Sequence, residues 1–584
     1  MPPSEAAQKA LAQLNAGRPD QAESLLRRGV QKSPRDGDAA QLLGMLLFQT
    51  GRADQAEYFL RAAIKAEPGR ADFHASLGNL LAATNKTEPA IGAFREGLRL
   101  DAAHVPSLQG LGLSLMRAGD LTGALEAGQR GLELQPGLFQ PWVNVSSVLT
   151  QSGRVDEAIA LLRRARQQFP TSVPILTSLL TALNYAPGET PESRGAAARA
   201  LTPLLAGPDP VAWANPRDPE RRLRVGFLSS DLRTHSVAFF VEPILAHHDR
   251  AAFEMIGYAA SRGSDATTDR LRALADGWVE AADLGDEALV KRVRADAIDI
   301  LVELNGHTTG GRLPALARRA APVQATYLGY PATTGVGAID VRLVDAITDP
   351  PGTEPLLTEQ PLRVDGCFVC YRPVPESPDV GPPPCLASGR VTFGSFNSMP
   401  KLNDPLIDSW ASVLAGVPGS RLALKNRALR DIAIRESVVA RFAGRGIAPD
   451  RLELIPPAPS QREHLAAYSR VDIALDNFPY NGTTTTCEAL WMGVPVVALE
   501  GRGHAARVGA SLLTAAGIPD WIAHDQSGYV SIAARMASDP GVLAETRRTL
   551  RDRLARSALL DAPGFAVRFG AVLRGAWRDW CSAR

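Results

Sequence analysis

Five small residues stand 34 positions apart near the start of the chain: Gly17, Gly51, Asn85, Gly119 and Gly153. A second register keeps the same step with Ala22, Ala56, Ala90, Ala124 and Ala158, and a third holds Gly44, Gly78 and Gly112. Pro34, Pro68, Pro136 and Pro170 follow it as well, with Ala102 in the remaining slot. Registers that agree over this length leave few folds. Each unit must be a pair of antiparallel helices, with small residues where helices cross and a proline closing the unit. One pair cannot bury its apolar face alone, so the units have to stack. Five fit between about residue 4 and residue 185.

The period and its small-residue pattern resemble the tetratricopeptide repeat. Such an array implies a concave surface that holds a protein or peptide partner. The competing use is a scaffold or spacer, including a homodimer formed through the repeats. The full 584 residues exceed one domain, so three or four are expected, and a hydrophobic content of 45% suffices to fill them. A formal net charge of +1 supplies no global field for nucleic acid or an anionic membrane. The opening MPPSEAAQKALAQL has no basic stretch followed by an apolar run, and no 18-residue apolar segment follows, so a cytoplasmic protein without membrane contact is expected. The cysteines are few and odd in number (Cys367, Cys370, Cys385, Cys487 and Cys581), which argues against a disulfide framework. Cys367 and Cys370 form a lone CxxC with no second half-site, so they are expected to be structural thiols and no metal is expected.

From about 186 to 221 the chain is rich in Pro, Gly and charge and reads as a linker or docking segment. Beyond it, short β-rich runs alternate with amphipathic helices. RLRVGFLSSD, FEMIGYAAS, DILVELNG, VQATYLGY and VRLVDAIT make one series; RVTFGSFNS, SRLALKN, RLELIPP, VDIALDN and VPVVALEG make another. Two such series predict two doubly wound Rossmann-like lobes, at 222–385 and 386–584, with ligands held beyond the carboxyl ends of the strands. The residues that follow strands are therefore the candidates. They include Asp231 with His235, His307, the GYPATTG loop with Tyr330 and Pro331, Asn397, Lys401 and Arg427. A further loop, NFPYNGTTTTCEALWMG, sets four threonines at the mouth of a predicted helix.

These loops carry a specific resemblance. DLRTHSVAFFVEPILAHHD, DILVELNGHTTGGR, YLGYPATTG, VTFGSFNSMPKL and NFPYNGTTTTCEALWMGVPVV are similar, in order, to the catalytic half of the SPINDLY proteins and their O-GlcNAc transferase relatives. The resemblance implies a GT-B fold behind the repeats. It also implies inverting, metal-independent transfer of a sugar from a nucleotide diphosphate to Ser or Thr of proteins. The sequence has no DxD pair after residue 221, so charge on the leaving diphosphate is expected to be met by protein groups.

The resemblance also distributes roles. Lys401 is implied to bind the diphosphate as a catalytic residue, with Asn397 among the donor contacts. Thr483 stands where O-GlcNAc transferases carry a histidine, Thr484 and Thr485 match the threonines that touch the diphosphate, and Glu488 replaces an aspartate on the ribose. A threonine cap of the helix is the plainer use of this run. His464 is implied to lie beside the nucleotide and His504 to approach the phosphates. His235 is either the general base or a group that orients donor or acceptor. His307, Tyr330 and Pro331 contact acceptor or sugar, or His307 merely closes a turn. Gln461 and Ala467 occupy places that are Lys and Arg in the UDP-binding relatives. That departure and the TTTT run favour GDP-fucose slightly over UDP-GlcNAc as donor. The alternative is a repeat scaffold whose catalytic half is inactive.

Overall fold

The computed structural model describes residues 3–205, 207 and 212–583. It forms two compact units: residues up to Phe169 together with Arg430–Ile434, and Pro170–Leu429 together with residues from Arg435 onward.

The first unit is five helix pairs, from Glu5–Asn15 with Pro19–Lys32 to Phe139–Gln151 with Val155–Gln168. Each register has a physical job. Gly17, Gly51, Asn85, Gly119 and Gly153 all take positive φ just after the first helix of their pair. The following N–H then bonds back five residues, as Arg18 to the Gln13 carbonyl and Lys86 to that of Leu81, both at 2.9 Å. This satisfies carbonyls that the helix end leaves open. Ala22, Ala56, Ala90, Ala124 and Ala158 are fully buried. A Cβ at Gly78 would sit 2.6 Å from the Phe94 ring, so only glycine lets those two helices cross.

The repeat array was expected to run to 185, but its five pairs end at Gln168, and the next helix, Val173–Leu183, belongs to the second unit. The segment expected as a linker contains a further helix, Pro191–Arg199, opened by a reciprocal capping box between Thr190 and Ser193. Ala206 and residues 208–211 of that segment lie outside the described residues.

The second unit holds two parallel sheets. The first contains β1 (Leu223–Ser229), β2 (Phe253–Ala259), β3 (Gly277–Glu280), β4 (Ile300–Glu303), β5 (Val323–Tyr327), β6 (Val341–Val344) and β7 (Gln360–Arg363), in the order β3-β2-β1-β4-β5-β6-β7. The second contains β8 (Thr392–Ser395), β9 (Arg421–Lys425), β10 (Leu452–Ile455), β11 (Ile473–Leu475), β12 (Val496–Leu499) and β13 (Ile522–Ala523), in the order β10-β9-β8-β11-β12-β13. Both orders reverse direction beside the first strand of the lobe, which opens a crevice at the strand ends. The lobes meet there: Ser511 donates to Asp345, just past β6, at 2.5 Å.

The last helix, Ala562–Ser582, was expected to belong to the second lobe but packs on the first. Its Phe569 lies against Phe227 of β1 and Tyr327 of β5, and the Trp577 indole donates to the Asp218 carbonyl at 2.9 Å. An apolar stripe of Phe565, Phe569, Leu573 and Trp577, spaced at helical steps, explains the crossing.

Candidate active site

The loops after β8 and β11 bring a cluster of polar groups together in the second lobe. Lys401 ends a short 3₁₀ turn, Met399–Lys401, which brings its ammonium back over the loop after β11. Its Nζ donates to the Asn481 carbonyl at 2.6 Å and to Asn397 Oδ1 at 3.3 Å, and lies 4.0 Å above the Tyr480 ring. Asn397 Oδ1 also accepts from the Thr485 hydroxyl at 3.1 Å, so one amide ties the lysine to the helix Thr484–Trp491. Burial pulls the Lys401 ammonium down to about 8, against the charge of Asp476. The same burial pushes Asp476 up to about 6, opposed first by the Gly482 N–H and then by Lys401.

The threonine run now has a geometry. Thr483 sits at the N-cap without capping, because its side chain makes no bond to the helix. Thr486 turns its hydroxyl back to the Gly482 carbonyl at 3.1 Å. Thr483, Thr484 and Thr485 are only half-buried. The first-turn N–H groups are thus left without a side-chain cap, beside a desolvated lysine. Open N–H groups with a positive helix end form a site for an anion. Next to it, Asn397, Asp476, Thr485, Thr486 and Tyr468 line a cavity of about 300 Å³.

A second cluster adjoins the first. Glu488, one turn into the helix, is buried and accepts from Gln461 Nε2 and from His464 Nε2, each at 2.9 Å. The other ring nitrogen of His464 bonds Lys425 Nζ at the end of β9. Burial lowers the Lys425 ammonium, and Glu488 opposes the shift. Lysine, histidine and carboxylate thus form one relay, with the Nε2–H tautomer of His464 set by its acceptor.

The candidates from the first lobe separate into two groups. His235 is exposed in the loop after β1, with Nδ1 3.7 Å from Asp231 and accepting from the Val237 N–H at 3.3 Å. Desolvation lowers its pKa, with Asp231 acting in the opposite sense. It is free to meet a ligand. His307 and Tyr330, expected against acceptor or sugar, are otherwise engaged. His307 Nε2 bonds the Thr334 carbonyl at 2.7 Å, its Nδ1 faces the Thr177 hydroxyl at 3.3 Å, and burial lowers it to about 4. Tyr330 donates to the Leu180 carbonyl at 3.1 Å and packs edge-on against His307, 4.8 Å between ring centres. Together they clasp the helix Val173–Leu183 onto the lobe. Pro331 remains half-exposed in a pocket wall. His504, expected near phosphate, pairs instead with Asp349 of the first lobe, which this partner holds at about 2 against its burial.

Cys367 and Cys370 are buried free thiols, both pushed up to about 12 by desolvation. Among the described residues no three His, Cys, Asp or Glu side chains converge as metal ligands. Sequence reasoning overlooked Asp476, Tyr480, Asn481 and Lys425. Asp476 and Lys425 do carry a signal, since each is a charged residue at the end of a buried strand. Asn481 acts through its backbone carbonyl, which no side-chain pattern reveals.

Comparison with known proteins follows the same division of the chain. The family described as Glycosyl transferase family 41 matches residues 208–360 and 385–569, and tetratricopeptide repeat families match 13–80 and 75–139. A solved O-GlcNAc transferase of Thermobaculum terrenum, a lysine-to-methionine mutant, aligns with a TM-score of 0.83 at 36% identity over 88% of this chain and 98% of that one. The Arabidopsis thaliana protein named probable UDP-N-acetylglucosamine–peptide N-acetylglucosaminyltransferase SPINDLY is 41% identical over 378 residues, 64% of this chain and 41% of its own. The correspondingly named SEC protein of Arabidopsis thaliana is 27% identical over 375 residues, 62% of this chain and 38% of its own. The chain spans about two fifths of the length of these curated relatives. With the family match covering more than half of its residues, the chain belongs to glycosyl transferase family 41, nearer to the SPINDLY type, with tetratricopeptide repeats ahead of its two lobes.

Proposed function

We propose that the chain is an inverting, metal-independent protein O-glycosyltransferase that moves a sugar from a nucleoside diphosphate to Ser or Thr hydroxyls. The observation that carries this is the desolvated Lys401, tied through Asn397 to the uncapped start of the threonine helix. In this reading the diphosphate lies between the ammonium and the first-turn N–H groups of Thr484 and Thr485. The acceptor oxygen attacks the anomeric carbon from the opposite face while the bond to the diphosphate breaks. Charge grows on the leaving phosphate, and donors already in place stabilise it without reorganising. His235, exposed in the loop after β1 of the first lobe, takes the hydroxyl proton or orients the acceptor in this reading. Glu488, held by Gln461 and His464, retains acceptor capacity for a ribose hydroxyl. The repeats present the acceptor protein.

GDP-fucose stands slightly ahead of UDP-GlcNAc as donor. Gln461, where the UDP-binding relatives place a lysine, is occupied with Glu488, and Ala467 offers no donor at all. The second candidate rests on the printed names of the relatives, which specify UDP-N-acetylglucosamine. A thermal-shift screen of UDP, GDP, CMP and their sugars separates the two. A ligand at about 100 times its Kd adds roughly 2.7 kcal/mol. Stronger stabilisation by GDP supports the fucose reading, stronger stabilisation by UDP reverses it, and no response to any of them favours an inactive scaffold.

A further inference from the structure

A pocket of about 500 Å³ lies where the helix Pro191–Arg199 covers the junction of the two lobes. Its walls include Pro331 after β5, Asp349 after β6 and Gly503 after β12. Most polar groups there are spent on one another. His504 bonds Asp349, Arg502 pairs with Glu192 at 2.7 Å, and the Thr333 hydroxyl donates to Glu359 at 2.6 Å. Two are not. The Arg194 guanidinium lines the pocket with no hydrogen-bond or ion-pair partner among the described residues, and burial disfavours its charge. Glu189 and Glu192 act on it only from a distance. The second is Asn184 Oδ1, enclosed and without a donor among the described residues, while the Nδ2 of the same amide bonds the Leu180 carbonyl at 3.0 Å. Gly503 makes room for the arginine, since a Cβ there would fall 2.9 Å from Arg194 Nη2.

An uncompensated guanidinium in a pocket wall calls for a ligand that carries an oxyanion. We propose that the pocket is an acceptor subsite that reads an acidic side chain of the protein being modified. The carboxylate pairs with Arg194. This rests on the transferase function proposed above. The pocket adjoins the transfer site through a single residue. The Asn481 N–H donates to the Ala505 carbonyl of the pocket wall at 2.8 Å, and the Asn481 carbonyl accepts from Lys401 at 2.6 Å.

The test walks one Glu along Thr-centred peptides, each matched with a Gln twin. Transfer efficiency is measured with the wild-type chain and with Arg194→Gln, and peptide binding is followed separately by fluorescence anisotropy without donor. At one or two placements the wild type should use and bind the Glu peptide about tenfold better than its twin, and Arg194→Gln should bring that ratio close to one. The ratio is taken within each protein, so any change in donor chemistry cancels. A wild type indifferent to Glu, or a preference that survives in Arg194→Gln, overturns the proposal. So does inorganic phosphate that binds through Arg194 without displacing the Glu peptide, because that assigns the pocket to a free anion. Absence of transfer with every peptide counts against the transferase reading alone, and the anisotropy contrast still decides this one.

Discussion

At Lys401 the burial that suits the diphosphate role proposed above also makes the ammonium titratable. Desolvation brings its ammonium to about 8, while the nearby Asp476 holds the proton on. Only the charged form can stabilise a departing diphosphate, so the rate should fall as pH rises through about 8. Asp476→Asn removes the charge that favours protonation, and this alkaline limb should move to lower pH. A pH profile of both proteins checks the sign: a limb that stays in place, or moves upward, removes Asp476 from the account. Among the described residues Asp476 Oδ2 has no hydrogen-bond partner, so the substitution breaks no bond at that atom.

Among the elements, the repeats show how a backbone requirement becomes a sequence register. Asn85 holds φ of 59° in a slot that glycine fills in the other four pairs. Asn85→Gly should therefore stabilise the array by up to about 1 kcal/mol in chemical denaturation, since a side chain there carries a left-handed penalty. A loss of stability would show that the Asn85 side chain does more than tolerate the turn. The same contrast explains what was legible beforehand. Nine of the ten strands anticipated from sequence are mostly buried runs, and the tenth, β10, is a partly exposed edge strand; the three not anticipated, β3, β7 and β13, are also edge strands, of which two are partly exposed and one is two residues long. Their hydrophobic signal is weak because half of each faces away from the core. Lys401 and the threonines were visible because they follow anticipated strands and stand in motifs that resemble the family's. The bonds that spend His307, Tyr330 and His504 on structure come from elements distant in sequence, and no local pattern encodes them.

For the whole molecule, the last helix is the element that joins the end of the chain to the first sheet. Trp577 is fully buried, with its indole bonded to Asp218, and Trp577→Ala should cost about 3–5 kcal/mol. A melting temperature unchanged by that substitution would mean that the helix is dispensable for the first lobe. The central claim is that the site at Lys401 carries sugar transfer. It is tested most directly by single-turnover transfer of labelled sugar to protein at saturating donor, comparing the wild type with Lys401→Ala. Loss of one stabilising charge at the leaving group should slow the variant roughly 10²–10³-fold while its melting temperature stays near that of the wild type. A variant that transfers at the wild-type rate would contradict the account.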